Sequence, residues 1–241
     1  MKAIILAAGR GSRISNVTNG GNKCLLKVNG QSILKRNVTN ISNIDVIKEI
    51  IIVVGHLSTD VMMDIGNECN GKRISYCIQR EQKGLIDALE SAKYSILGDD
   101  CFLLLGDEVV INNCYSKAIT DFKRNQYSAF LGVFNGKDKD LVRKTYTLKL
   151  DNQGEVIDLI EKPKEPFNSI MGTGNILLKK ETLDYIEKTP LNSKRGEKEL
   201  VDFLKIIIEE EKNVKTFEVG DHYINLNTKD DYDTLLQLTN M

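Results

Sequence analysis

The sequence predicts an α/β fold in which a mainly parallel, mixed sheet is covered by helices on both faces and carries a small β-hairpin insertion. Three observations predict it. Short apolar runs alternate with segments of helical periodicity from the first residues onward. Two of those runs, Glu49–Val54 and Cys101–Leu105, are apolar almost throughout, as strands covered on both faces are. Further on the pattern changes to neighbouring strands joined by a turn at Asp151-Asn152-Gln153-Gly154.

In order along the chain, Lys2–Leu6 reads as a strand emptying into Gly9 and Gly11, and Ser32–Ile41 as a helix. Glu49–Val54 is a β-branched strand stopped by Gly55, Val61–Ile65 has helical spacing, and Arg73–Ile78 reads as a strand. In Gly84–Tyr94 the apolar residues Leu85, Ala88, Leu89 and Ala92 fall on one helical face. Cys101–Leu105 ends at Gly106-Asp107. Ser128–Phe134, Thr145–Leu150 and Val156–Ile160 read as strands, the last two flanking the turn. Ile176–Leu178 is a further strand, helices are expected near Lys180–Glu187 and Lys198–Glu210, and Val214–Val219 is a strand. Thr228-x-x-Asp231 has the form of a capping box, opening a final helix to about Leu238.

Right-handed crossovers put the loops that follow parallel strands on one rim, where open α/β sheets bind ligands. The glycine loop, Gln79–Gly84 and Gly106-Asp107 should therefore meet. No repeat or linker interrupts the pattern, so residues 1–241 are expected to form one Rossmann-like, three-layer αβα domain.

A hydrophobic fraction of 41% against 28% charged residues marks an ordinary globular chain. The net charge of −1 leaves no basic footprint for nucleic acid, and no apolar run approaches the roughly 20 residues that span a bilayer. The opening strand and glycine loop lack the plan of a secretion signal. Five cysteines without a C-x-x-C pair, and only two histidines, argue for reduced thiols in a cytoplasmic protein. They argue equally against a zinc site or a Ser–His hydrolase.

The segment Leu6-Ala7-Ala8-Gly9-Arg10-Gly11-Ser12-Arg13 can turn backbone N–H groups onto phosphates, with a cation at its far end. The dinucleotide fingerprint would need a third Gly where Ile14 stands, and a P-loop would need Lys where Ser12 stands, so neither applies. The segment instead resembles the Leu-Ala-Ala-Gly-x-Gly-Ser/Thr-Arg signature of the nucleotidylyltransferases that activate sugar phosphates and related phospho-compounds. Lys23, followed by Leu25, Val28 and Gly30, resembles the signature's second half. Asn16 and Asn22 stand where that family usually carries Pro.

The resemblance implies roles. Leu6, Ala8, Gly9, Gly11 and Ser12 would bind the nucleotide, Arg13 its β- and γ-phosphates, and Lys23 would sit by the α-phosphate. Gln79-Arg80-Glu81-Gln82-Lys83-Gly84-Leu85 resembles the stretch in which Gln and Gly read the base edge. Asp107 stands in the Gly-Asp context of the family's Mg²⁺ ligand; on its own it could equally cap a turn before the next helix. Asn225 takes the second Mg²⁺ position, with Asn227 as a helix cap. Glu161-Lys162-Pro163 would hold the acceptor's hydroxyls and phosphate. Met171-Gly172-Thr173-Gly174-Asn175 resembles the glycine segment of the acceptor pocket, with Gly174 and Asn175 as contacts, and Arg195–Asp202 resembles a further family segment. Pro163 biases Lys162 towards extended backbone, and there Glu161 and Lys162 should point to opposite sides unless the strand bends.

The implied activity is Mg²⁺-dependent transfer of NMP from an NTP to a phosphomonoester, with release of pyrophosphate. A nucleotide-binding half (about residues 1–125) would be followed by an acceptor-binding half (about 126–241). The Asn-x-Asn-Thr ending is shared with compact cytidylyltransferases, which favours CTP over dTTP, UTP or GTP. The acceptor would be a sugar 1-phosphate, phosphocholine or a phosphonate. The alternative is a catalytically silent homologue that binds nucleotide or a partner protein; the presence of Arg13, Lys23, Asp107 and Lys162 argues against it.

Overall fold

A computed structural model of the chain, describing residues 1–96, 98–136, 139–193 and 195–239, is built on a ten-stranded sheet. Lys2–Leu6, apolar on both faces, pairs in parallel with Glu49–Val54 on one side and Cys101–Leu105 on the other. Lys72–Ile78 continues the parallel run beyond Glu49–Val54. Past Cys101–Leu105 comes Ile170–Leu178, antiparallel to it and to its next neighbour Ala129–Asn135, which pairs in parallel with Val214–Glu218. The antiparallel hairpin Tyr146–Leu150 and Val156–Glu161 joins the sheet where Tyr146 stands opposite Gly172. The sheet is therefore mixed and mainly parallel, with the hairpin insertion that the sequence predicts.

Side chains of a strand alternate between faces, and the first strand shows both layers. Ala3, Ile5 and Ala7 pack with the helices Ile33–Ser42, Ser58–Ile65 and Tyr115–Asn125. Ile4 and Leu6 pack on the other face with Leu85–Ile96 and Leu200–Glu211. Burying a side chain as completely as Phe102, Phe122 and Phe203 are buried contributes about 1.5–3 kcal/mol each. Among the described residues, no helix is long and apolar enough to cross a membrane.

Several elements differ from expectation. The helix Tyr115–Asn125 carries a strong apolar face that the sequence reading passed over. Asp107 is followed not by a helix but by the strand Glu108–Ile111, paired antiparallel with His222–Asn225 in a separate two-stranded ribbon. The segment near Lys180 is a 3-10 helix, Lys180–Asp184, and one α-turn, Tyr185–Lys188. The helix expected from Lys198 begins at Leu200, because Glu197–Lys198 pair with Leu191–Asn192. The capping box holds: Thr228 N–H donates to Asp231 Oδ2 at 2.8 Å and Asp231 N–H returns to Thr228 Oγ1 at 3.3 Å, opening Lys229–Thr239.

Candidate active site

The carboxyl ends of the parallel strands open onto a cavity of about 510 Å³. Leu6, Ala8, Gly9, Gly11, Ser12, Arg13, Lys23, Gln79, Gly84, Asp107, Glu161, Lys162, Gly174 and Asn225 all line it, so the loops after separate strands do share a rim. Gly11 has a left-handed φ of 63° and starts the 3-10 turn Ser12–Ile14. A Cβ there would lie 3.1 Å from Lys23 Cβ, so the glycine loop rests on the stem of Lys23. Ile14 is buried and anchors the turn, which leaves Arg13 exposed at the cavity with no ion pair to a described residue.

Lys23 Nζ is ion-paired with Asp107 Oδ2 and donates to the Leu226 carbonyl at 3.3 Å. Leu226 N–H in turn donates to the Asp107 carbonyl at 3.0 Å. The ribbon sets Asn225 opposite Glu108, so Asp107 and Asn225 reach the same corner from distant parts of the chain. Asn227 does not cap the helix as expected; its Nδ2 donates to Asn225 Oδ1 at 2.8 Å and holds that amide. Among the described residues there is no group of three or more His, Cys, Asp or Glu placed for a metal. Asp107 and Asn225 offer two hard oxygens, a set that fits Mg²⁺, which keeps waters and shares its sphere with substrate phosphates.

Behind this corner lies Glu108, which the sequence reading missed. It is 4% exposed and its carboxylate accepts from Gly174 N–H at 3.0 Å, Asn175 Nδ2 at 2.8 Å and Tyr223 O–H at 2.6 Å. Burial pushes its carboxyl up to about 8, with the charge of Asp107 adding to the rise, against the pull of its donors and of Lys23. A second charge directly after Asp107, followed by the apolar Val109-Val110-Ile111, was the available signal. Asn175 itself is corrected: it is 1% exposed and stays out of the cavity lining, donating to Glu108 while its Oδ1 accepts from Tyr115 O–H at 2.8 Å. It lies inside the strand Ile170–Leu178, where alternation turns it away from Gly174's side.

Lys162 also departs from expectation. Its φ is +43°, left-handed rather than extended, with its N–H donating to the Thr145 carbonyl at 2.6 Å. The bend overrides the preference set by Pro163 and brings Lys162 Nζ within 3.1 Å of Glu161 Oε1, so both face the cavity. Arg195 Nη1 lies 3.8 Å from the same oxygen and 3.0 Å from Glu199 Oε1. Also in the cavity lining, Gln79 Nε2 donates to the Gly84 carbonyl at 3.1 Å and to Asp87 Oδ2 at 2.7 Å. Both partners are acceptors, which fixes the amide nitrogen there and leaves Oε1 without a described donor. Gly84 has φ +97°, and a Cβ on it would meet Glu197 Cβ at 3.1 Å.

The family model described as nucleotidyl transferase matches residues 2–223. The chain is 26% identical over 233 residues to the UTP–glucose-1-phosphate uridylyltransferase AglF of Haloferax volcanii, covering 97% of this chain and 94% of that one. It is 31% identical over 211 residues to the bifunctional protein GlmU of Methanococcus maripaludis, covering 87% of this chain but only 47% of that longer protein. In structure it resembles a glucose-1-phosphate thymidylyltransferase described as putative, from Bacillus anthracis and solved with a sucrose, with a TM-score of 0.88, 25% identity and coverage of 99% and 94%. The match runs from the first strand through the glycine loop to the start of the strand His222–Asn225, and the chain belongs to the nucleotidyl transferase family: it is a nucleotidylyltransferase.

Proposed function

We propose that the protein transfers a nucleotidyl group from UTP or dTTP to a sugar 1-phosphate such as glucose 1-phosphate, releasing pyrophosphate, in the cytoplasm where these substrates occur. The observation that carries this reading is the gathering of Arg13, Lys23 and Lys162 from three separate segments around one cavity, with Asp107 and Asn225 at its corner. The half before about residue 125 would take the nucleotide and the rest the acceptor. The acceptor phosphate is already ionised at neutral pH, so it attacks the α-phosphorus in line and no protein nucleophile is needed. Catalysis is then positioning and charge neutralisation. Arg13 and the N–H groups of Gly9–Ser12 hold the departing β- and γ-phosphates, and Lys23 holds the α-phosphate beside Asp107. Bound between Asp107 and Asn225, Mg²⁺ would neutralise phosphate charge. Lys162 and Arg195 balance the acceptor phosphate, while Glu161 and Glu199 are left to accept from sugar hydroxyls.

Base choice follows from Gln79. Its free Oε1 accepts from the N3–H that uracil and thymine carry and that cytosine lacks. The relatives named for UTP and for thymidylyl transfer support the same choice, and neither supports the CTP preference expected from the Asn225–Thr228 ending, nor phosphocholine or a phosphonate as acceptor. In a matrix of nucleoside triphosphates against phospho-acceptors, read by pyrophosphate release, UTP or dTTP is expected to exceed CTP by at least about tenfold in kcat/KM. A preference for CTP or a purine triphosphate would overturn the assignment.

On the acceptor side, Lys162→Ala is expected to raise the acceptor KM at least about tenfold, near 1.4 kcal/mol, and to leave triphosphate affinity nearly unchanged. Equal losses for both substrates would assign Lys162 to the fold or to the nucleotide.

A further inference from the structure

Asn22 does not line the cavity, yet it is only 2% exposed and all its side-chain hydrogen bonds go to backbone. Its Oδ1 accepts from Cys24 N–H at 2.9 Å and opens the short 3-10 turn Lys23–Leu25. Its Nδ2 donates to the Ala7 carbonyl at 3.2 Å and to the His56 carbonyl at 3.1 Å. Two carbonyls require hydrogens and one N–H requires a lone pair, so only this orientation of the amide satisfies all of them. Ala7 sits at the exit of the first strand, immediately before the glycine loop, and His56 follows the strand Glu49–Val54. One side chain thus joins the root of the phosphate loop, the loop of the neighbouring strand and the turn that carries Lys23.

We propose that Asn22 is the positioning residue for Lys23. Lysine is a point charge on a flexible stem, so the place of its ammonium is set by how firmly its backbone is rooted. With the turn fixed through Asn22, Lys23 Nζ reaches Asp107 and the Leu226 carbonyl, and its stem supports Gly11. No other residue of similar size supplies this combination. Aspartate would set a second oxygen against the two carbonyls, and alanine would leave the buried Cys24 N–H and Ala7 carbonyl unpaired.

The effect on rate rests on the nucleotidylyltransferase reading, and the test separates the two. With Mg²⁺, UTP or dTTP and glucose 1-phosphate, Asn22→Ala and Asn22→Asp are each expected to lower kcat at least about fiftyfold while shifting the triphosphate KM less than about threefold. Placed on a Lys23→Ala background, Asn22→Ala should cost less than about threefold more, because a residue acting through Lys23 has nothing left to position. A purely structural residue would multiply its loss with that of Lys23→Ala. In the folded Asn22→Ala protein, amide exchange at Cys24 and across residues 7–13 should also quicken at least about tenfold. A kcat within about threefold of wild type, or a multiplicative double mutant, overturns the proposal. Should the wild-type protein release no pyrophosphate with any substrate pair, the functional reading fails; exchange then decides alone, unchanged protection overturning the role of Asn22 and faster exchange supporting it.

Discussion

Asp107→Asn is expected to lower kcat by about a thousandfold, near 4 kcal/mol of transition-state stabilisation. Two losses combine. The substitution removes the Asp107 carboxylate from the Asp107–Asn225 corner, and with it the charge that would hold Mg²⁺ against substrate phosphates. It also releases Lys23, whose ammonium is paired with Asp107 and with the Leu226 carbonyl. The first loss should raise the Mg²⁺ concentration needed for half-maximal rate; the second should not, so a Mg²⁺ titration of Asp107→Asn beside Lys23→Ala separates them. Near-wild-type turnover in a folded Asp107→Asn protein would remove Asp107 from the chemistry.

The largest expected effect on stability comes from Glu108→Ala, about 3–5 kcal/mol. The truncation leaves the Gly174 N–H, the Asn175 amide and the Tyr223 hydroxyl buried without their acceptor. It also opens a void beneath the cavity floor. For a chain of this size such a loss lowers Tm by on the order of 10 °C or more. Glu108→Gln keeps one acceptor oxygen and most of the volume and should lose clearly less. Thermal unfolding of the two variants tests this, and a Glu108→Ala melting point within about 2 °C of wild type would show that the network contributes little.

Where local chemistry settled an element, the sequence was a good guide. Lys2–Leu6, Glu49–Val54 and Cys101–Leu105 are strands to the residue; the last two stop directly at Gly55 and Gly106, and the first runs through Ala7-Ala8 to Gly9. Helix starts drifted: Ser58–Ile65 begins three residues before its apolar face is visible at Val61. The strand Glu108–Ile111 escaped notice because its partner, His222–Asn225, lies far along the chain and no local pattern announces the pairing. The bend at Lys162 was hidden for a similar reason. A rule about the residue before proline predicts extended backbone, but the Thr145 hydrogen bond and the pairing of Lys162 with Glu161 belong to the tertiary structure. Motif matching found most of the residues that line the cavity but gave Asn22 no role and passed over Glu108, since a brace is recognised only by the bonds it makes.

The ribbon that sets Asn225 opposite Glu108 also orders events during synthesis. Tyr223 and Glu108 are separated by 115 residues, which takes on the order of ten seconds to traverse at ribosomal speed. Lys2–Leu6 can pair with Glu49–Val54 and Cys101–Leu105 as soon as these emerge, and the glycine loop can form on that platform. Asp107 and Glu108 must wait for the last strand. A nascent chain cut short before His222 would therefore carry its glycine loop while lacking both Asn225 and the hydroxyl that holds Glu108.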